Sequence, residues 1–408
     1  MRISTSMIFS SGATNLSNLQ SRLYDLQNQL STGKRLTQPA DDPIASAQVV
    51  VVSQQKAVNQ RFLANQQGAE DQLAELESRL SGVGDLLLSV RTRVVEAGNG
   101  AYTDNDRKAI ASEVRERFDE LLGLANSADA MGNYVFSGLR GGTKPFSVSG
   151  AVGSRSITYN GDDGRRQLQV GSSRYMDVSE AGSDLFARIP QGNGQFTFAP
   201  SAGNTGTGLV STGTVISGYA GATYKISFTS PTTFDVTDGA GAPLVPPMLA
   251  QSYVSGNQIV LGSGANQISV DISGSPAAGD VFNVAPAANQ DMFTTLDQFI
   301  AALETPVQGS AQRKTALANA LSSITLNLDQ AMERVSLHET AIGTRRTELE
   351  ALSTTASALD VQYQSDLSNL QDVDYAQAIT ALTQQKMMLD AAQASFSKVS
   401  QMSLFSYL

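Results

Sequence analysis

The sequence predicts a mainly α-helical protein with a β insert: a long coiled-coil-like helical rod built from both termini, with one or two small antiparallel β domains in the middle. Three observations lead there. Near the start, Leu16, Leu19, Leu23, Leu26 and Leu30 are spaced 3-4-3-4, a heptad seam. Near the end a longer seam runs Leu317, Leu321, Ile324, Leu328, Ala331, Val335, His338, Ile342, Arg345, Leu349, Leu352, Ala356, Leu359 and Tyr363. Residues 146–289 show no such period; Gly, Ser and Thr dominate, alternating runs are short, and no Glu occurs between Glu180 and Glu304.

The first element reaches to about Gly33 and carries few charges; its polar positions are mostly Ser, Asn and Gln. Such a face suits packing against other chains, or waits disordered for a partner to complete its core. The segment Gly33–Pro43 breaks the helix, because Pro39 and Pro43 hold their preceding residues extended. Asp42 reads as an N-cap and Pro43 as the first helical residue. Asp41 and Asp42 form a paired acid only in the less favoured reading; a cap-and-turn motif Asp41, Asp42, Pro43 is the simpler one. A helix then runs from Pro43 to about Ala97 with the seam Leu73, Leu76, Leu80, Val83, Leu87, Val90, Val94, Ala97. Thr103 and Asp106 make a capping-box start for a third helix expected to end near Met131–Gly132.

The insert should contain a hairpin joining Ile157–Tyr159 to Leu168–Val170 through Asn160-Gly-Asp-Asp-Gly164. Further strands are expected at 195–198, 223–228, 233–236, 258–261, 267–272 and 280–284. Helix resumes at Asp291–Leu303 and again from Ala311 to Leu370, which at 1.5 Å per residue spans roughly 90 Å. The last segment, from about Asp372, is again poor in charge; Tyr375, Ile379, Leu382, Leu389, Phe396 and Val399 supply its apolar positions. It mirrors the first segment, and the two should pair. The expected assembly surface is Leu16, Leu19, Leu23, Leu26, Leu30, Ile379, Leu382, Leu389, Phe396 and Val399.

Composition narrows function. The 408 residues include no Cys and one His, and the net charge is −10. Disulfides, thiolate metal sites and multi-histidine zinc sites are excluded, and the acidic balance argues against nucleic acid as a partner. No apolar run approaches the roughly 18 to 20 residues of a membrane span, so no membrane insertion is expected, and the N-terminus lacks a cleavable secretory signal. Asn160-Gly-Asp-Asp-Gly164 has oxygen ligands for a hard cation, but a turn uses the same residues. His338 is either a pH-sensitive packing residue or one hydrogen-bonded at a helix interface, and Arg345 is expected to reach an acid on a neighbouring helix. No nucleophile, base and orienting group converge, so catalytic residues, cofactors and metals are expected to be none and the protein is not expected to be an enzyme.

The ends also carry a resemblance. Met1-Arg-Ile-Ser-Thr-Ser-Met7, Ser31-Thr-Gly-Lys-Arg-Leu-Thr-Gln-Pro-Ala-Asp-Asp-Pro43, Ala97-Gly-Asn-Gly100 with Thr103-Asp-Asn-Asp-Arg107, Tyr134-Val-Phe-Ser-Gly138 and Gln401-Met-Ser-Leu-Phe405 resemble the hook-associated protein 3 family of bacterial flagellar hook–filament junction proteins. The likeness covers roughly residues 1–146 and 290–408. It implies a structural adaptor, exported by the flagellar type III apparatus and secreted to the hook–filament junction. It also implies terminal coiled-coil segments (1–40 and 371–408) in an axial core, a helical rod domain (41–145 and 290–370) around it, and a β-rich outer region (146–289). Implied partners are hook-associated protein 1, flagellin, further copies of the chain in a ring, and a type III export chaperone. Flagellin is the nearest competitor, since it shares the architecture and a related Asp-Asp segment. A secreted adhesin-like protein binding through its β domain is the reading from another class.

Overall fold

A computed structural model describes residues 5–401. Among the described residues the helices are α1 (Thr5–Thr32), α2 (Pro43–Ala97), α3 (Asp104–Ala125), α4 (Met292–Glu304), α5 (Ala311–Gln371) and α6 (Tyr375–Gln401), with the strands lying between α3 and α4. This is the predicted class, helical ends around antiparallel sheets. The chain forms two compact units: residues up to 66 with those from 351 onward, and residues 67–350.

In the second unit the heptad seam is spent fully. Leu73, Leu76, Leu80, Val83, Leu87, Val90 and Val94 of α2 are buried, as are Leu317, Leu321, Ile324, Leu328, Val335, Ile342 and Leu349 of α5. Small residues let the helices close: a Cβ added to Gly84 would touch Val335, and one added to Gly98 would touch Leu321. Charges flank the seam, with Arg91 Nε 2.7 Å from Asp329 and Arg346 bridging Glu70 and Glu77.

α3 starts on the predicted capping box of Thr103 and Asp106 but ends at Ala125, short of Met131. The reason is tertiary: the Asn126 side chain accepts the Phe146 N–H at 2.8 Å and donates to the Phe146 carbonyl at 3.1 Å. That exchange pulls the chain out of the helix and lays the first strand beside it. α4 is capped by Asp291, whose Oδ1 accepts the Thr294 N–H at 2.6 Å. Phe118, Phe136, Phe146, Phe186 and Phe293 then form a buried aromatic core joining α3, α4 and the loops, with ring centroids 5.1 to 6.1 Å apart. The Tyr134-Val-Phe-Ser-Gly138 motif is part of this core. Phe136 fills it, and Gly138 takes φ +70° where a Cβ would collide with Asp162.

The predicted hairpin across 160–164 does not form. Phe146–Ser149 pairs with Ser156–Tyr159, and Gln167–Gln169 pairs with Tyr175–Asp177. The Asp-Asp turn connects two hairpins instead of closing one. Its carboxylates have protein donors: Asp162 accepts the Leu139 and Gly164 N–H groups, and Asp163 bonds Ser183 and Arg188.

Residues 196–286 form two antiparallel sheets around one core. The first has strand order Pro243–Ser252, Thr233–Asp238, Tyr224–Ser230, Val281–Pro286, Phe196–Pro200. The second pairs Gln258–Ser263 with Asn266–Ser273, onto which Leu209–Val210 and Thr214–Val215 also pair. Phe196, Ile226, Phe228, Val236, Leu261, Val270, Ile272 and Phe282 are buried between them. The strand Pro243–Ser252 was hidden from the sequence by Pro243, Pro246 and Pro247. It lies at the sheet edge, where a missing N–H loses little.

Arg345 finds its acid on a loop rather than on a helix. Glu180, fully buried, receives Arg345 Nη1 at 2.6 Å, His338 Nδ1 at 3.3 Å and Arg165 Nε at 3.5 Å. Burial alone would push the Glu180 carboxyl up; the neighbouring His338 and Arg345 more than reverse this and hold it below its ordinary value of 4.5. The hub therefore stabilises the fold fully above that ordinary value, and its contribution is lost as pH falls through the lowered one. Replacing Glu180 by Gln leaves the half-buried guanidinium of Arg345 without its carboxylate and should destabilise the unit by about 1–2 kcal/mol near neutral pH. Urea titrations should show the gap between E180Q and the native chain closing as the pH is brought below the carboxylate range; a gap independent of pH would contradict this.

Candidate assembly interface

The first unit is built from the same kinds of helix, yet it buries little. Among its described residues the buried apolar side chains are Ala45, Ala356, Ala378 and Leu389, three of them alanines. Continuing the α2 heptad backward from Leu73 explains part of this. The seam lands on Gln66 and Asn59 before reaching Val52 and Ala45. Both polar residues are buried, and Asn59 Nδ2 donates to the Ala356 carbonyl at 2.7 Å. Simple extension of the period would have revealed these positions in the sequence.

α1 and α6 pack antiparallel. Phe9 meets Phe396 edge to face with centroids 5.0 Å apart, and Gln385 Nε2 donates to the Leu19 carbonyl at 3.3 Å. Gly12 makes the crossing possible, because a Cβ there would lie 2.8 Å from the Phe396 ring. The predicted stripe Leu16, Leu19, Leu23, Leu26 and Leu30 is half-buried throughout; on α6, Leu389 is buried, and Leu382 and Phe396 are half-buried. Ile379 and Val399, by contrast, remain 53% and 49% exposed. A cavity of about 250 Å³ remains between the helices, lined by Phe9, Leu16, Ala392, Phe396 and Val399. Exposed apolar residues outside the predicted stripe add to the face: Met7, Tyr24, Met387 and Met388 here, and Ile44, Val50, Val51 and Val361 on α2 and α5. Helical periodicity did not select them because they lie off the seam.

The connections of α1 to α2 and of α5 to α6 are tied to each other. Arg35 N–H donates to the Gln371 carbonyl at 2.7 Å and Val373 N–H to the Gly33 carbonyl at 3.0 Å. The Arg35 guanidinium reaches the Leu370 carbonyl at 2.8 Å. Gly33 has φ +69°, a left-handed conformation that glycine adopts without strain. In the next turn Asp41 Oδ2 accepts the N–H groups of Gln38 and Thr37 and the Thr37 hydroxyl. The Gln38 N–H, then the Thr37 hydroxyl and N–H, hold the Asp41 carboxyl below its usual range. Asp42 Oδ1 accepts the Ala45 N–H at 3.0 Å, and Pro43 begins α2. The Asp-Asp-Pro segment is thus a turn followed by a cap.

The geometry offers a set of amphipathic helices with an unfinished apolar face. The helical ends define the class: the bacterial flagellin N-terminal helical region matches residues 3–140 and the bacterial flagellin C-terminal helical region matches residues 325–408, so this is a flagellin-type axial protein. Within that class, the chain is 27% identical over 405 residues to flagellar hook-associated protein 3 of Salmonella typhimurium, covering 99% of both chains. Crystal structures are similar as well. FlgL of Xanthomonas campestris superposes with a TM-score of 0.67 at 30% identity, over 74% of this chain and 99% of that one. Flagellar hook-associated protein-3 of Legionella pneumophila gives a TM-score of 0.73 at 28% identity, over 79% and 98%. The chain belongs to the flagellar hook-associated protein 3 family. The first four residues of the Met1–Met7 motif and residues 402–405 of the C-terminal one lie outside the described residues.

Two substitutions test the local physics. Asp42→Ala removes the α2 cap and should destabilise the first unit by about 1 kcal/mol, read as a lowered urea midpoint for its helices. Gly12→Val forces Phe396 aside, and overpacking of this kind costs about 1–3 kcal/mol. Amide exchange in α1 and α6 should accelerate while residues 73–97 are unaffected; unchanged exchange in α1 would contradict the crossing described here.

Proposed function

We infer that the protein is a structural adaptor of the bacterial flagellum, exported by the flagellar type III apparatus and located at the hook–filament junction, where it joins the hook to the flagellin filament. One observation carries this reading: the helices of residues 5–66 and 351–399 present leucine, isoleucine, methionine and phenylalanine side chains that a single chain leaves partly in water. At about 25 cal/mol per Å² of apolar surface, covering them with neighbouring subunits strongly favours assembly, offset by the entropy of ordering on docking. Leu16, Leu19, Leu23, Leu26, Leu30, Ile379, Leu382, Leu389, Phe396 and Val399 form the assembly surface in this reading. Residues 1–40 and 371–408 make the axial core, 41–145 and 290–370 surround it, and 146–289 project outward.

The partners are hook-associated protein 1 on the hook side, flagellin on the filament side and further copies of this chain in a ring, with an export chaperone masking the C-terminal region beforehand. The role is mechanical rather than enzymatic. A flagellin-type filament subunit is the less supported reading, because the likeness to hook-associated protein 3 runs through 405 residues, middle included, while the flagellin regions match only the ends.

Unlike contacts above and below should stop self-association at a ring. Under conditions that polymerise flagellin, the purified chain should remain monomeric or form short oligomers in electron micrographs, joining filaments only when the hook-side partner and flagellin are supplied. Long filaments of this chain alone would overturn the junction reading. Truncation after Leu389 should leave residues 67–350 folded by circular dichroism while abolishing incorporation into flagella; normal flagella from that variant would defeat the assigned surface.

A further inference from the structure

α5 has a second face. Its apolar seam is buried against helices, but a polar stripe reaches into the β region at Asn319, Asn327, Arg334, His338, Arg345 and Glu348. Asn327 Oδ1 accepts the Gly192 N–H at 2.9 Å, Arg334 donates to the Arg188 carbonyl at 3.1 Å, and Glu348 holds Arg174 through two bonds of 2.6 Å. Asn319 is the member that touches the two-sheet body itself. Its Nδ2 donates to the Gly208 carbonyl at 3.0 Å and its Oδ1 accepts the Val210 N–H at 3.0 Å. The carbonyl and N–H on either side of Leu209 are the groups a neighbouring parallel strand would engage. Here a single side-chain amide, itself buried, takes that place on the free edge of Leu209–Val210.

Two further facts bear on this contact. The two-sheet body has a core drawn from its own strands, Phe196, Ile226, Val270 and Phe282 among its members. Beside Asn319 the contact is not packed: a cleft of about 260 Å³ separates Pro200, Ala202 and Gly206 from Gln312, Thr315 and Ser323. A body held by polar bonds over an unfilled cleft has room to tilt once a bond is removed.

We propose that Asn319 is a positioning residue: its amide fixes the two-sheet body in one pose on α5, and without it the body swings over the cleft while staying folded. This pose belongs to the single chain, so it is measurable without the flagellum and independently of the junction reading.

The chain has no cysteine, which allows spin labels at the exposed positions of Thr232→Cys and Ser336→Cys on the full-length protein. The native residue at 319 should give one narrow distance distribution by double electron–electron resonance. Asn319→Leu should broaden it and raise exchange of the Val210 amide about tenfold, with the exchange of Ile226 and Val270 in the sheet core unchanged. Asn319→Asp keeps an acceptor for Val210 and loses the donor to Gly208, so its distribution should be intermediate; it also covers the case in which the leucine variant does not fold. A distribution as narrow in both variants as in the native chain would overturn the proposal. So would loss of protection at Ile226 and Val270, since Asn319 would then hold the fold of the sheets and not their pose.

Discussion

Everything in this molecule follows from how far a heptad seam is filled. From Ala69 to Ala97 the seam of α2 is alanine, leucine and valine, and the helices of residues 67–350 bury it completely. Before residue 67 the same period brings Gln66 and Asn59 to the interface, and of the large apolar side chains described in that unit all but Leu389 stay partly in water. Burial of apolar surface is the dominant favourable term in folding. One part of the chain therefore completes its core alone, and the other leaves apolar surface partly in water.

That division suits a protein whose work is to be built into a larger structure. A closed unit gives a stable body that does not depend on neighbours. An open unit of few charges and many amides and hydroxyls can be covered without burying unpaired charge. The connections Gly33–Arg35 and Leu370–Val373 are hydrogen-bonded to each other, so α1 and α6 are joined at one end as well as along their lengths.

Polar side chains do the joining that the apolar seam cannot. Asn126, Asn319 and Asn327 each bond backbone groups of the β region, and Glu180 gathers Arg165, His338 and Arg345 around one carboxylate. A buried carboxylate so surrounded is well satisfied electrostatically, but only in one arrangement, which is why it orders the hairpins beside α5 instead of merely adding attraction.

The sequence by itself determined the helices, because their seams, caps and breakers are local: Thr103 with Asp106, Asp42 before Pro43, and leucines at 3-4 spacing act within a few residues of themselves. It also determined most strands of the two-sheet body, where alternation is regular. The tertiary structure decided the rest. Which strand Ile157–Tyr159 pairs with, where α3 stops and which acid Arg345 reaches depend on groups 9 to 165 residues away. A strand containing three prolines is tolerable only if it falls at an edge, and edges do not exist until the sheet does. Likewise, Ile379 and Leu389 look equivalent in the period but differ in burial, because α1 covers one side of α6 and leaves the other to solvent.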